Sequence, residues 1–121
     1  MLFAITDGFR KKTIFGMEIV QEGMDQMRLN LFWTEPQHSQ SQIGQSWDFK
    51  SSSDSWLRLA ISVQDDTATL YTGCTQMTTK QFDRTINKLP IESSYNFYLG
   101  KGDLFGRTYQ VRHNKVLVCK F

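Results

Sequence analysis

Hydrophobic and polar residues alternate along much of this chain with a period of two. Leu57, Leu59, Ile61 and Val63 are interleaved with Arg58, Ala60, Ser62 and Gln64, the pattern of a strand with one face in a core and the other in water. Beyond Asp65 and Asp66 the same period sets Ala68, Leu70, Thr72 and Cys74 on one face and Thr67, Thr69 and Tyr71 on the other, so SVQDDTATLYTGC over residues 62–74 predicts a hairpin with an acidic turn. Cys74 is then an inward residue, pointing the same way as Leu70.

Strand-like alternation recurs in LFAIT (2–6), IFGMEIV (14–20), MRLNLFW (27–33), QSWDFK (45–50), YNFYL (95–99) and VLVC (116–119). In MRLNLFW the expected core face is Met27, Leu29, Leu31 and Trp33, with Arg28, Asn30 and Phe32 turned outward. The separators TDGFRKK, QEGMD, TEPQHSQSQ, KSSSDS and GKGD are rich in turn formers. No window offers three turns of amphipathic helix. Short strands separated by turns predict an all-β, antiparallel sandwich or barrel. There is no internal repeat, and HSQSQIGQS (38–46) is too short to link two domains, so it reads as one long loop.

Composition narrows the picture. A chain of 121 residues, 40% hydrophobic and 13% aromatic, fits one domain with a packed core. A formal net charge of +2 is too small to signal nucleic-acid binding, so any anion site must come from clustering. No apolar run is long enough to span a membrane, which argues against membrane insertion, and MLFAITDGFRKK lacks the features of a signal peptide. The two cysteines, Cys74 and Cys119, show no CxxC spacing, and His113 is the histidine closest to either, which disfavours a metal site or redox catalysis. They read either as buried free thiols or as a disulfide, and the latter requires an oxidising compartment. Catalysis has no foothold: the serines lie in polar loops without a nucleophile motif and only two histidines exist to act as a base, so the chain reads as a non-enzyme.

From residue 56 onward the order of features is familiar. A Trp-x-Arg-Leu-Ala-x-Ser-Val strand, a two-residue acidic turn, a Thr-Leu-Tyr strand ending in Cys74, the step Tyr98-Leu99-Gly100, the pair Phe105-Gly106 and the closing Cys119 resemble the laminin G-like (concanavalin A-like) superfamily. Within it they are most similar to the thrombospondin N-terminal-like domain of thrombospondins and non-fibrillar collagens. LFAITD, IFGMEIV and MRLNLFW resemble earlier strands of such domains, and GKGDLFGRTYQ is shorter than the segment members often carry there. The resemblance covers nearly all of residues 1–121 as a single domain, one that lacks the strands members carry ahead of LFAITD.

The resemblance implies a partial β-sandwich of jelly-roll type, secreted into the extracellular matrix, with the absent signal peptide lying upstream. It also implies a Cys74–Cys119 disulfide, for which the chain-entropy argument gives about 4 kcal/mol at most. Heparin or heparan sulfate binding, known in parts of the family, directs attention to basic residues. Arg10, Lys11 and Lys12 form the one run of three like charges, and Lys101, Arg107, Arg112 and Lys115 crowd the end of the chain. A sulfated polysaccharide is a line of fixed anions, held by several cations on one surface through counterion release. The expected glycan-binding residues are therefore Arg10, Lys11, Lys12, Lys101 and Arg107, with a matrix protein as the other expected partner. Solvated loop tips that keep sheet edges from sticking would show the same charges.

Calcium, held in some laminin G-like domains by loop carboxylates, could involve Asp7, Asp65, Asp66 or Asp103. Asp65-Asp66 is explained more simply as a turn, and no cofactor is expected. Trp33, Trp47 and Trp56 could stack on sugars, although burial is the simpler account of Trp33 and Trp56. No Asn-x-Ser/Thr sequon is present. A galectin-like reading fails because the His-x-Asn-x-Arg and Trp-x-x-Glu-x-Arg patterns are missing. A purely structural or assembly role in a collagen-like protein remains the alternative to glycan binding.

Overall fold

A computed structural model describes residues 1–9, 11–50, 57–73, 76–99, 103–104 and 107–108. Ten strands are present among them and no helix: β1 Phe3–Thr6, β2 Thr13–Gln21, β3 Gln26–Trp33, β4 Ile43–Lys50, β5 Leu59–Gln64, β6 Thr67–Thr72, β7 Gln76–Gln81, β8 Asn96–Leu99, β9 Asp103–Leu104 and β10 Arg107–Thr108. They form a five-stranded sheet in the order β4-β3-β2-β1-β8, a three-stranded sheet β5-β6-β7 and a two-stranded β9-β10 ladder. All pairings are antiparallel. The all-β expectation holds, and the two larger sheets make a partial sandwich.

Register explains which side chains meet. Directly opposed residues of antiparallel strands share a face, so Leu99, Phe3, Met17 and Leu31 form one row across the large sheet and Phe97, Ile5, Phe15 and Trp33 form the next. Ile19, Leu29 and Trp47 make a third row. The small sheet answers with Leu59 and Ile61 from β5 and with Ala68 and Leu70 from β6, the inward faces expected from their alternation. Leu29, Leu31, Trp47, Ala68, Leu70 and Phe82 are the buried centre between the sheets. Trp47 also donates its indole N–H to the Thr78 carbonyl at 3.2 Å, which ties β4 to β7.

A β-bulge between Leu31 and Phe32 pairs Phe32 with Ile43 and leaves Gly44 as the extra residue. The absence of a side chain matters there. A Cβ on Gly44 would stand 2.4 Å from Cε2 of Phe82 and 3.0 Å from Cβ of Trp33. The aromatic ring closing the end of the core needs that space.

The structure corrects the sequence reading in three places. β4 begins at Ile43, so the last four residues of the expected 38–46 loop are strand. Asn30 and Phe32 do alternate away from the sandwich core, but neither is solvated: they are 6% and 7% exposed. The far face of the large sheet has its own small cluster, in which Met1, Ala4 and Phe32 come together with Tyr98 alongside. The buried Glu18 accepts a hydrogen bond from Asn30 Nδ2 on that face at 2.9 Å. The strand β7, QMTTKQ, is also absent from the sequence reading because its alternation is not hydrophobic. Met77, Thr78 and Thr79 are all exposed, and Lys80, on the same side as Thr78, donates from Nζ to the Ser46 carbonyl at 2.7 Å.

Candidate functional site

The Asp7–Lys12 loop joins β1 to β2, and a carboxylate closes it. Asp7 Oδ1 accepts from the backbone N–H of Lys11 at 2.6 Å and of Lys12 at 3.1 Å, while the Asp7 N–H donates to the Lys12 carbonyl at 3.2 Å. A short Asp acting on its own following backbone is the usual local chemistry of such turns. The clamp fixes what the loop presents. Phe9 is 84% exposed at its tip, and the ammonium of Lys11 lies 5.8 Å from the centre of the Phe9 ring.

Lys12 has a different role from its neighbour. Its ammonium donates to the His38 carbonyl at 2.7 Å, attaching the β1–β2 loop to the β3–β4 loop. The Thr13 N–H donates to Ser41 Oγ at 2.7 Å and strengthens the same junction. Of the sequence-predicted cations, Lys11 and Lys12 therefore stand side by side with unequal freedom. Arg10 and Lys101 lie outside the described residues. Arg107 falls in β10, far along the chain from the loop, and its side chain lies outside the description. Cys74 and Cys119 also lie outside the described residues, as does Trp56.

Beside the loop is an open cleft of about 400 Å³ lined by Asp7, Gly8, Phe9, Lys12, Glu92, Ser94 and Tyr95. Burial, followed by the charges of Glu92 and Asp7, raises the Tyr95 phenol above its ordinary range. The cleft combines aromatic rings, hydroxyls and carboxylates with the Lys12 side chain, and Lys11 is not part of its lining.

Sequence reasoning missed a heavily hydrogen-bonded carboxylate. Glu35, 6% exposed, accepts hydrogen bonds from the Thr85 hydroxyl, the Thr85 N–H at 2.8 Å, Gln37 Nε2 at 2.9 Å, the Ile86 N–H at 3.4 Å and the Trp33 indole at 3.4 Å. The Thr85 hydroxyl first, and Gln37 next, hold its carboxyl at about 2, well below the ordinary 4.5. Arg84 stacks its guanidinium over both Trp33 and Phe82, 5.1 Å from each ring centre, and donates to the Asp65 carbonyl. Trp33 is thus capped by Arg84 and Trp47 is buried, so neither offers a ring for stacking on a sugar. A single Glu in a Thr-Glu-Pro turn gave no signal of this role, because the donors on Thr85 and Ile86 arrive from fifty residues away.

Asp65 and Asp66 form the turn between β5 and β6, as expected. Asp65 has a positive φ of 52°, tolerable for Asp, and the Asp66 carbonyl accepts from the Phe82 N–H at 2.6 Å. Among the described residues no three His, Cys, Asp or Glu side chains gather where they could hold a metal ion, and Asp7, one of the calcium candidates, is committed to its own loop. No helix among them is long and apolar enough to cross a membrane. No protein-family model matches the chain, and no solved structure matches it.

Proposed function

We propose that this domain is a non-catalytic extracellular interaction module, of the thrombospondin N-terminal-like, laminin G-like kind, that binds sulfated glycosaminoglycan through its β1–β2 loop. The observation that carries the reading is the clamped loop itself. Asp7 spends its carboxylate on backbone N–H groups, which leaves Lys11 projecting beside the exposed Phe9 within the Arg10–Lys12 run. A preordered cation loses less conformational entropy on meeting a sulfate than a wandering one. Lys12 supports the loop through His38, and Lys101 and Arg107 are the further cations of the site. A jelly-roll arrangement and a Cys74–Cys119 disulfide belong to the same reading.

Heparin chromatography under graded salt tests it. Replacing Arg10, Lys11 and Lys12 by Ala should bring elution to lower salt and reduce the salt slope by roughly one for each charge that contacts sulfate. Lys11→Ala alone should do so without affecting the fold. Unchanged elution of the triple variant removes the loop from the site. If the unaltered protein is not retained at all, the domain has a structural or assembly role in a collagen-like matrix protein. Resistance of the cysteines to alkylation in the native chain, with a lower melting temperature under reduction, is the expected result for an extracellular module.

A further inference from the structure

The turn ahead of β8 builds the second wall of the cleft beside the β1–β2 loop. In IESSYNF (91–97) the Tyr95 N–H donates to the Glu92 carbonyl at 3.1 Å, so Glu92 and Tyr95 stand at the two ends of one turn. Asn96 pairs with Thr6, which brings that turn against the start of the β1–β2 loop, and Asn96 Nδ2 donates to the Asp7 carbonyl at 3.4 Å. The approach at Gly8 is close: a Cβ there would stand 3.2 Å from the Ser94 carbonyl oxygen. Two loops far apart in sequence are thus seated on one another, and Phe9, Glu92 and Tyr95 line the cleft of about 400 Å³ that they share.

We infer that this cleft is a binding site for a guanidinium group, carried on an arginine of a partner protein. Its lining has the carboxylates of Asp7 and Glu92 against one ammonium, that of Lys12, which is already bonded to the His38 carbonyl. The field of both carboxylates reaches the Tyr95 phenol and helps to raise it, so negative charge prevails at that wall. Phe9 supplies the second element. Its ring is 84% exposed and already attracts a cation, the Lys11 ammonium 5.8 Å from its centre. A guanidinium suits this pairing better than an ammonium, because it is planar and weakly hydrated, stacks on a ring and offers a carboxylate a fork of N–H donors. The same carboxylates repel a sulfated glycan, so the site is separate from the one proposed for sulfate and does not rest on it. Its contacts are those of exposed groups, and a single arginine should bind weakly, with a Kd on the order of 10 mM.

Amide chemical shifts of the full chain, titrated with N-acetyl-arginine N-methylamide at constant ionic strength, test the inference. The expected result is a saturable shift at Gly8 and Ser94 that is absent with the neutral citrulline counterpart and weaker with the lysine one. Glu92→Gln and Phe9→Ala should each weaken binding about two- to fivefold. Both side chains are exposed, so neither change threatens the fold. Lys11→Ala should bind the probe at least as well, since it vacates the Phe9 ring, whereas the glycan reading has the same change bring heparin elution to lower salt; the two readings therefore fail separately. Absence of a saturable shift overturns the inference. Equal binding of the citrulline or lysine counterpart also overturns it, as does unchanged affinity when Glu92→Gln and Phe9→Ala are combined.

Discussion

Leu31 and Leu99 are the same residue type, on the same face, in the same row of the same sheet, and their surroundings could hardly differ more. Leu31 is 1% exposed beneath the three-stranded sheet, and Leu99 is 74% exposed at the other end of the row. Both satisfy the alternation rule equally well. Alternation therefore identifies which face a residue belongs to, while burial depends on how far the opposing layer extends. Among the described residues the layers have five and three strands, and the larger sheet has an inner face that is partly exposed.

The largest expected effect lies at the covered end. Leu31→Ala should destabilise the domain by about 2–5 kcal/mol, and Trp47→Ala by about 3–5 kcal/mol, since each removes transfer energy and leaves a cavity between two sheets that relax only in part. Chemical denaturation with an unchanged m-value would measure it. A loss below about 1 kcal/mol at both positions would mean that the inter-sheet centre is not the core of this domain.

This difference also shows how much of the fold was legible in the chain. The hairpin of β5 and β6, the inward Ala68 and Leu70 and the all-β class follow from local alternation and one acidic turn. The burial of Phe32 and Asn30 does not, because it requires a second covered face on the large sheet, and a period of two cannot tell one covered face from two. Strand β7 was illegible for the opposite reason: Thr78 and Lys80, which pair with Leu70 and Ala68, contribute a carbonyl and an ammonium to β4 in place of hydrophobic surface. Of the candidate site, the Arg10–Lys12 run was readable as charge density. The Asp7 clamp that separates an outward Lys11 from a tethered Lys12 was not, since loop hydrogen bonds leave no periodic trace.

A smaller effect is expected where the covered core meets the loops. Gly44→Ala forces a methyl group into the ring of Phe82, and overpacking of this kind costs about 1–3 kcal/mol. If the explanation is steric, pairing it with Phe82→Leu should restore part of the loss, giving a coupling energy that a double-mutant cycle can read. Additive losses would show that Gly44 is needed for the backbone of the bulge and not for the ring above it.

The Glu35 junction should announce itself through pH. Its carboxyl is held at about 2 in the folded chain against an ordinary 4.5, so the unfolded chain takes up this proton first as the pH falls. The resulting stabilisation is complete above 4.5 and is lost progressively towards 2. Glu35→Gln places an amide among donors and keeps one accepting oxygen, and it should lower the melting temperature at neutral pH. Melting curves of the two proteins should converge as the pH falls from 4.5 to 2. A constant separation across that window would mean that Glu35 holds the loops by shape alone.

The smallest effect is expected at the far end of the row with which the comparison began. Leu99→Ala removes atoms that are already mostly in water, so the stability of the dilute chain should change by less than about 0.5 kcal/mol. Measured beside Leu31→Ala under the same conditions, it turns a geometric contrast into an energetic one for a single residue type on a single face. Two comparable losses would require Leu99 to be buried in the dilute protein. Its 74% exposure would then be wrong, and the sandwich would be covered along its whole length. A negligible loss at Leu99 beside a large one at Leu31 is the outcome expected of a half-covered sheet, because hydrophobic stabilisation follows the area withdrawn from water and not the pattern in the sequence.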